Sequence, residues 1–210
     1  MAEADAPTWA EEARQAASHN LSSLPALSDR EEAWRFTRPR DLALDGKEPV
    51  PAGAAAVLDP DQTGGASARA ARLTFVDGVP APPELGELPA GVTVGELGQA
   101  LVDHEGLVRE RIYTLIGFDD RPGALNAARW EAGTFVHVAR GVEVELPIEA
   151  LLHATGASGR VFSRTLVVLE EGARATVVDR YTSPDLAGPT QASSVVELFV
   201  APGAELEHVA

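Results

Sequence analysis

The feature that most constrains this chain is a phrase written three times in its C-terminal third. Val136 to Leu146, Val167 to Val177 and Leu198 to His208 align without a gap, placing glycines at 141, 172 and 203, 31 residues apart both times. The residues five and three before each glycine, and one and three after it, are always apolar. They are Val136, Val138, Val142 and Val144, then Val167, Leu169, Ala173 and Ala175, then Leu198, Val200, Ala204 and Leu206. Between the later ones stand Glu143 and Glu145, Arg174 and Thr176, Glu205 and Glu207. A period of two marks a strand with one buried and one wet face. Glycine permits a corner that a Cβ would strain. Each copy therefore reads as strand, glycine turn, strand.

Tandem units of this size bury their apolar faces against copies of themselves, which is the signature of a stacked architecture. The expected fold class is mainly β with an α-helical N-terminal region, the repeats forming a β-solenoid. Thirty-one residues fit one coil with a long return loop or two short coils, and the spacing alone leaves both open. The third copy runs to Ala210 with no polar capping unit after it. The expectation is of an incomplete solenoid, either a portion of a longer chain or one capped by a partner.

The chain can build a real core, because 45% of its 210 residues are hydrophobic. Only 5% are aromatic, so that core is aliphatic. A formal charge of −15 and the lack of any basic run argue against a nucleic-acid surface, which needs a basic face to meet phosphates. No cysteine is present, so the chain offers no disulfide, thiolate ligand or cysteine nucleophile. The acidic start Met1-Ala2-Glu3-Ala4-Asp5 is unlike a secretory signal, and no apolar run is long enough to span a membrane. A cytoplasmic location is expected.

Four regions follow from patterning: a helical N-terminal domain over 1–44, a Pro/Gly/Ala-rich linker over 45–72, a mixed α/β connecting region over 73–130 and the incomplete β-solenoid over 131–210. Thr8 and Glu11 are spaced as a capping box for a helix over 8–20 that Leu24-Pro25 ends, and Ser28 with Glu31 predicts a second helix running toward Pro39. Leu73 to Val76 reads as a strand before an Asp77-Gly78 tight turn, and Pro80 to Pro89 as proline-rich connection. Thr93 with Glu96 predicts a helix bearing Leu97, Ala100 and Leu101, with another short one over Ala124 to Ala128.

No catalytic constellation emerges. His137, His153 and His208 lie in or beside the repeats, but none has the short spacing of a metal pair, so each reads as a satisfied or surface histidine. His208 stands out because it takes the inward place held by Leu146 and Val177 in the other copies. A polar group there is hydrogen-bonded core or a site. Glu143, Glu145, Glu205 and Glu207 read as a solvated face, with an acidic cation-holding ladder as the rarer alternative. Asp59, Asp61 and Gly64 lack the remaining ligands of a calcium loop. Gly156-Ala157-Ser158-Gly159 is one residue short of a nucleophile elbow, and no glycine-rich phosphate loop occurs. No catalytic, cofactor-binding or metal-holding residue is therefore expected in this chain.

Several short stretches, taken in order, resemble one family. They are Glu32 to Thr37, Leu73 to Gly78, Leu88 to Val92, Ala124 to Ala128, Gly141 to Ile148 and Arg164 to Ala173, ahead of Tyr181 and Glu197 to Val200. Together these resemble the SufB/SufD family of iron–sulfur cluster assembly scaffolds, its SufD branch more closely, over residues 32 to 210. The resemblance implies a right-handed parallel β-helix and a non-enzymatic subunit of the SUF machinery. Such a subunit pairs with a SufB-like sister and a SufC-like ATPase whose contact region lies past residue 210. The cluster is built by the complex, with no cofactor held by this chain. Family members are about twice as long, so no functional residue carries over, and His208 does not match the family's distal histidine. Two other classes stay in view: a plain structural solenoid module, and a β-helix polysaccharide hydrolase or lyase, which the missing signal and sparse aromatics disfavour.

Overall fold

A computed structural model describes residues 6–36, 38–39, 68–156, 160–185 and 191–210. The protein is sheet-rich, with an N-terminal helix and two sheets facing each other across an aliphatic core. The larger sheet is built on β1 (Ala71–Val76), β6 (Ile148–His153), β8 (Arg174–Thr182) and β10 (Glu205–Val209), all parallel to their neighbours in that order. Short β2 (Val79–Pro80) and β3 (Glu84–Leu85) add antiparallel to β1. The smaller sheet runs β4 (Val92–Glu96), β5 (Ala132–Val138), β7 (Arg160–Leu169) and β9 (Gln191–Val200), parallel except for the antiparallel pair β4 and β5. From β5 to β10 consecutive strands alternate between the sheets. Phe135 pairs with Leu166 and Leu166 with Glu197, so 31 residues carry the chain once through both sheets.

Gly141, Gly172 and Gly203 make the corners with φ of +68°, +70° and +71°. They stack. The Gly141 N–H donates to the Glu171 carbonyl at 2.9 Å and the Gly172 N–H to the Pro202 carbonyl at 3.3 Å, joining successive turns into a ladder of their own. A side chain at Gly172 would meet the Gly141 Cα only at 3.9 Å, so the backbone conformation, and not crowding, is what requires glycine. Gly133 is the opposite case. A Cβ there would fall 2.6 Å from the Leu97 Cβ, so its bareness lets a helix lie directly on β5.

One part of the ungapped alignment does not hold. Glu143 bridges to Arg174, yet Ile148, not Leu146, stands opposite Val177. Two extra residues bulge out before Pro147, leaving Leu146 44% exposed and giving the inward place to fully buried Ile148. Proline has no N–H to give a ladder, which favours a break there.

Four helices complete the described fold: α1 (Thr8–Ser23), α2 (Leu97–Asp103), α3 (Glu105–Arg109) and α4 (Arg121–Arg129). Helices α2 and α4 cover the outer face of the smaller sheet, where Leu97, Leu101, Val108, Leu125 and Trp130 bury Phe135, Phe162, Leu166 and Val168. Helix α1 packs on α4, and each caps the other. Arg14 donates to the carbonyls of Ala128 and Trp130 at the end of α4, while Arg121 donates to those of Leu21 and Leu24 at the end of α1. Helix ends leave four carbonyls without intrahelical partners, and these guanidinium groups supply them.

The expected caps need correcting. Thr8 is already helical and Pro7 occupies the cap position, so the Thr8–Glu11 box does not form. The segment after Ser28 yields only a 3₁₀ turn at Glu32–Trp34. The Ser28 hydroxyl accepts from Arg30 N at 3.2 Å in a local turn, and the residue before Pro39 is disfavoured from helix, which leaves too little chain for more. Thr93 lies in β4, and Glu96 itself caps α2 by accepting from the N–H groups of Gly98 and Gln99. The Asp77-Gly78 turn forms as expected, both residues having positive φ and Val76 pairing with Val79. Most of the stretch read as a linker, including Asp59, Asp61 and Gly64, lies outside the described residues, as do Ala157 to Gly159.

Candidate functional site

The charged and polar side chains this fold buries are concentrated on the sheets, in three groups. On the outer face of the smaller sheet, Arg164 of β7 and Glu197 of β9 form an ion pair with both side chains fully buried, Nη2 to Oε2 being 2.8 Å. Neither group is left with spare capacity. Arg164 also donates to the Asn126 side chain at 3.1 Å and to the Ile116 carbonyl, and lies over the Tyr113 ring. Glu197 accepts backbone N–H bonds from Tyr113, Leu115 and Ile116 at 3.1, 3.1 and 3.3 Å. Asn126 of α4 donates to the carbonyls of Ser163 and Ser193, so one residue reads two adjacent strands. The group locks the loop between α3 and α4 onto the sheet.

On the outer face of the larger sheet, Glu149 is buried beneath three guanidinium groups. Arg72, directly opposite it in register, lies at 2.8 Å, Arg69 at 3.0 Å and Arg180 at 2.6 Å. These contacts tie β1, β6 and β8 together across their backbone ladder. At the far end of β6, His153 Nδ1 meets the Thr182 hydroxyl at 2.8 Å, and Asp77 accepts from the backbone and hydroxyl of Thr155. Burial holds the His153 imidazole below its ordinary pKa, against the pull of nearby Asp77. A cleft of about 200 Å³ opens beside it, lined by Leu152, Val161, Tyr181, Thr182 and Gln191 among others.

The third group lies between the sheets, where β7 and β8 change from aliphatic to polar. Asp179 is 2% exposed and takes His208 Nε2 at 3.0 Å, with the Thr165 hydroxyl at 3.4 Å. Burial raises the Asp179 carboxyl above the usual range and the contact with His208 opposes that shift. Nearby, the hydroxyls of Ser163 and Ser194 are 2.7 Å apart.

The three histidines singled out by sequence are not brought together. His137 of β5 meets half-buried Glu170 at 2.9 Å and holds that carboxyl below its ordinary value, His153 has Thr182, and His208 has Asp179. His208 faces inward opposite Val177, as its place in the repeat implied. The glutamates of the turn face do not form an acidic ladder, because Arg174 stands between Glu143 and Glu205 and pairs with the latter at 2.9 Å. Among the described residues no group of three or more histidine, aspartate or glutamate side chains is placed to hold a metal ion. What the arrangement does is link strand to strand and helix to sheet. Sequence reading passed over Arg164, Glu197 and Glu149, although charged residues inside apolar strand runs were the available signal.

The parallel strands that carry these links also carry the similarity to known proteins. Residues 152–210 match the family model described as SUF system FeS cluster assembly, SufBD core domain. Over these residues the chain is similar to the SufB/SufD family. The chain is 32% identical over 114 residues to the iron–sulfur cluster assembly protein SufB of Bacillus subtilis, covering 54% of this chain and 24% of that protein. It is 29% identical over 119 residues to an iron–sulfur cluster assembly SufBD family protein of Staphylococcus epidermidis, and 28% over the same length to one of Staphylococcus saprophyticus, covering 56% of this chain and 26% of each relative. The aligned part of the chain spans about a quarter of the length of the SufB/SufD relatives it matches. No helix among the described residues is long and apolar enough to cross a membrane.

Proposed function

We propose that this SufB/SufD-family chain is a non-catalytic scaffold of the SUF iron–sulfur cluster machinery. Its alternating strands make turns of a right-handed parallel β-helix that holds partner subunits in place. The observation that carries this reading is the coincidence of the family match with the in-register strands and glycine corners. A wall of parallel strands fixed by buried ion pairs suits a load-holding role, because each layer fixes the position of the next. The partners are a SufB-like sister, with this chain on the SufD side, and a SufC-like ATPase, all in the cytoplasm. The cluster is cargo of the complex, and with no cysteine in this chain its thiolate ligands come from a partner.

Co-expression of the full chain with the SufB-like and SufC-like proteins of its own organism tests this. Co-purification of all three in a fixed ratio is expected. A chain that elutes strictly alone at every salt concentration removes the reading.

A further inference from the structure

The cleft of about 200 Å³ beside His153 is a feature that the scaffold role leaves unused. Its apolar lining comes from Leu152, Ala154, Val161 and Ala192, and its polar lining includes His153 and Gln191. Ligand clefts commonly run from roughly 300 to 1,000 Å³, so this one suits something smaller. A cavity of about 150 Å³ is enough for benzene, which sets the scale at one ring with a small substituent.

The surrounding charges select against ions of either sign. Among the described residues no lysine or arginine lines the cleft. Buried Arg160, next to Val161 in the chain, donates to Gln191 Oε1 at 2.6 Å. Two buried carboxylates act on the lining, Asp77 on His153 and Asp179 on Tyr181. Both have partners already, Asp77 in Thr155, and Asp179 in His208 and Thr165. An anion would meet their repulsion with no cation to offset it. A cation would exchange water for apolar walls.

What the polar groups do suit is a hydroxyl. Burial keeps the His153 imidazole uncharged, so one ring nitrogen donates and the other accepts. Nδ1 meets the Thr182 hydroxyl at 2.8 Å, while Nε2 has no hydrogen-bond partner among the described residues. Among those residues the only side-chain nitrogen or oxygen both sealed from solvent and unpaired is Trp9 Nε1, so His153 Nε2 is open. A hydroxyl can meet that nitrogen in either tautomer. The Gln191 amide, its Oε1 held by Arg160, has only its NH₂ group to offer.

We propose that this cleft binds a neutral single-ring compound bearing one hydroxyl, of the phenol class, with the ring against Leu152, Val161 and Ala192 and the hydroxyl on His153 Nε2. This binding is independent of whether the chain pairs with a SufB-like sister.

Phenol titrated into the purified full chain tests this, read by NMR from the carbon-bound ring protons of His153, assigned with His153→Gln. A saturable shift is expected. Ala192 is exposed, so Ala192→Trp should fill the cleft with the thermal melt unchanged and weaken phenol binding by about tenfold or more. Loss of the hydrogen bond in His153→Gln should weaken it by about tenfold in calorimetry. Benzoate and benzylamine, which carry the same ring with a negative or a positive charge, should each bind at least about tenfold more weakly than phenol. No saturable shift, equal binding of either charged ring, or phenol affinity indifferent to Ala192→Trp or to His153→Gln overturns the proposal.

Discussion

At the scale of single residues, a few charges are paired in the interior of the fold. Replacing one member of a buried pair leaves the other desolvated and alone, which costs about 3–5 kcal/mol. Arg164→Met and Glu197→Gln should each lower unfolding free energy by about that amount. Because both remove one shared interaction, the double variant should lose clearly less than the sum of the singles. Denaturant melts of all four proteins check this, and strict additivity would mean that the two side chains are not coupled. His153 gives a pH signature. Its folded pKa lies below the ordinary 6.5, so near that pH the unfolded chain binds more protons than the folded one. Stability should therefore be fully present above about 6.5 and fall as pH drops through the window beneath it. His153→Gln should flatten that slope in melts between about pH 5 and 7. The depressed Glu170 carboxyl acts lower, its share being lost only as pH falls below its ordinary 4.5. A slope unchanged by His153→Gln would show that another group titrates there.

At the scale of elements, the stacked corners make a prediction separating two causes. Gly172 has φ of +70° and room for a Cβ, so Gly172→Ala should cost about 1–2 kcal/mol from backbone conformation alone. Gly172→Asn should cost less, because asparagine tolerates that region. Equal losses for both in chemical denaturation would point to crowding instead. These corners were legible in the sequence because a strand pair with one wet face writes its period directly, and glycine marks the left-handed corner. The Asp77-Gly78 hairpin was legible for the same reason. The first copy's bulge was not, since Leu146 and Ile148 are both apolar and only the pairing with Val177 tells which is inward. Caps misled where a side chain had a nearer partner, as at Ser28, or stood one residue inside the helix, as at Thr8. The clamps were hidden by distance in sequence. Asn126 and Arg164 meet across 38 residues, and nothing local in either stretch announces the other.

At the scale of the whole molecule, repeats that touch only their neighbours should not share stability evenly. Every residue of β6 and β7 is buried and each strand has a partner on both sides. Among the described residues strand β10 pairs only with β8, and its residues alternate between exposed and half-buried, held from the side by the Arg174–Glu205 and Asp179–His208 contacts. Acidic charge adds to the gradient, because the chain has 32 carboxylates against 17 lysine and arginine residues, and several of those basic residues are turned inward to cap helices or clamp strands. Opening should start where backbone pairing is one-sided and like charges are least relieved. Native-state hydrogen exchange read by mass spectrometry should show the slowest amides in 148–153 and 160–169, exchanging only through global unfolding. Those in 205–209 should exchange through a lower-energy local opening that becomes easier still in His208→Ala. If all the strands exchanged at one common free energy, the two sheets would instead open as a single cooperative block.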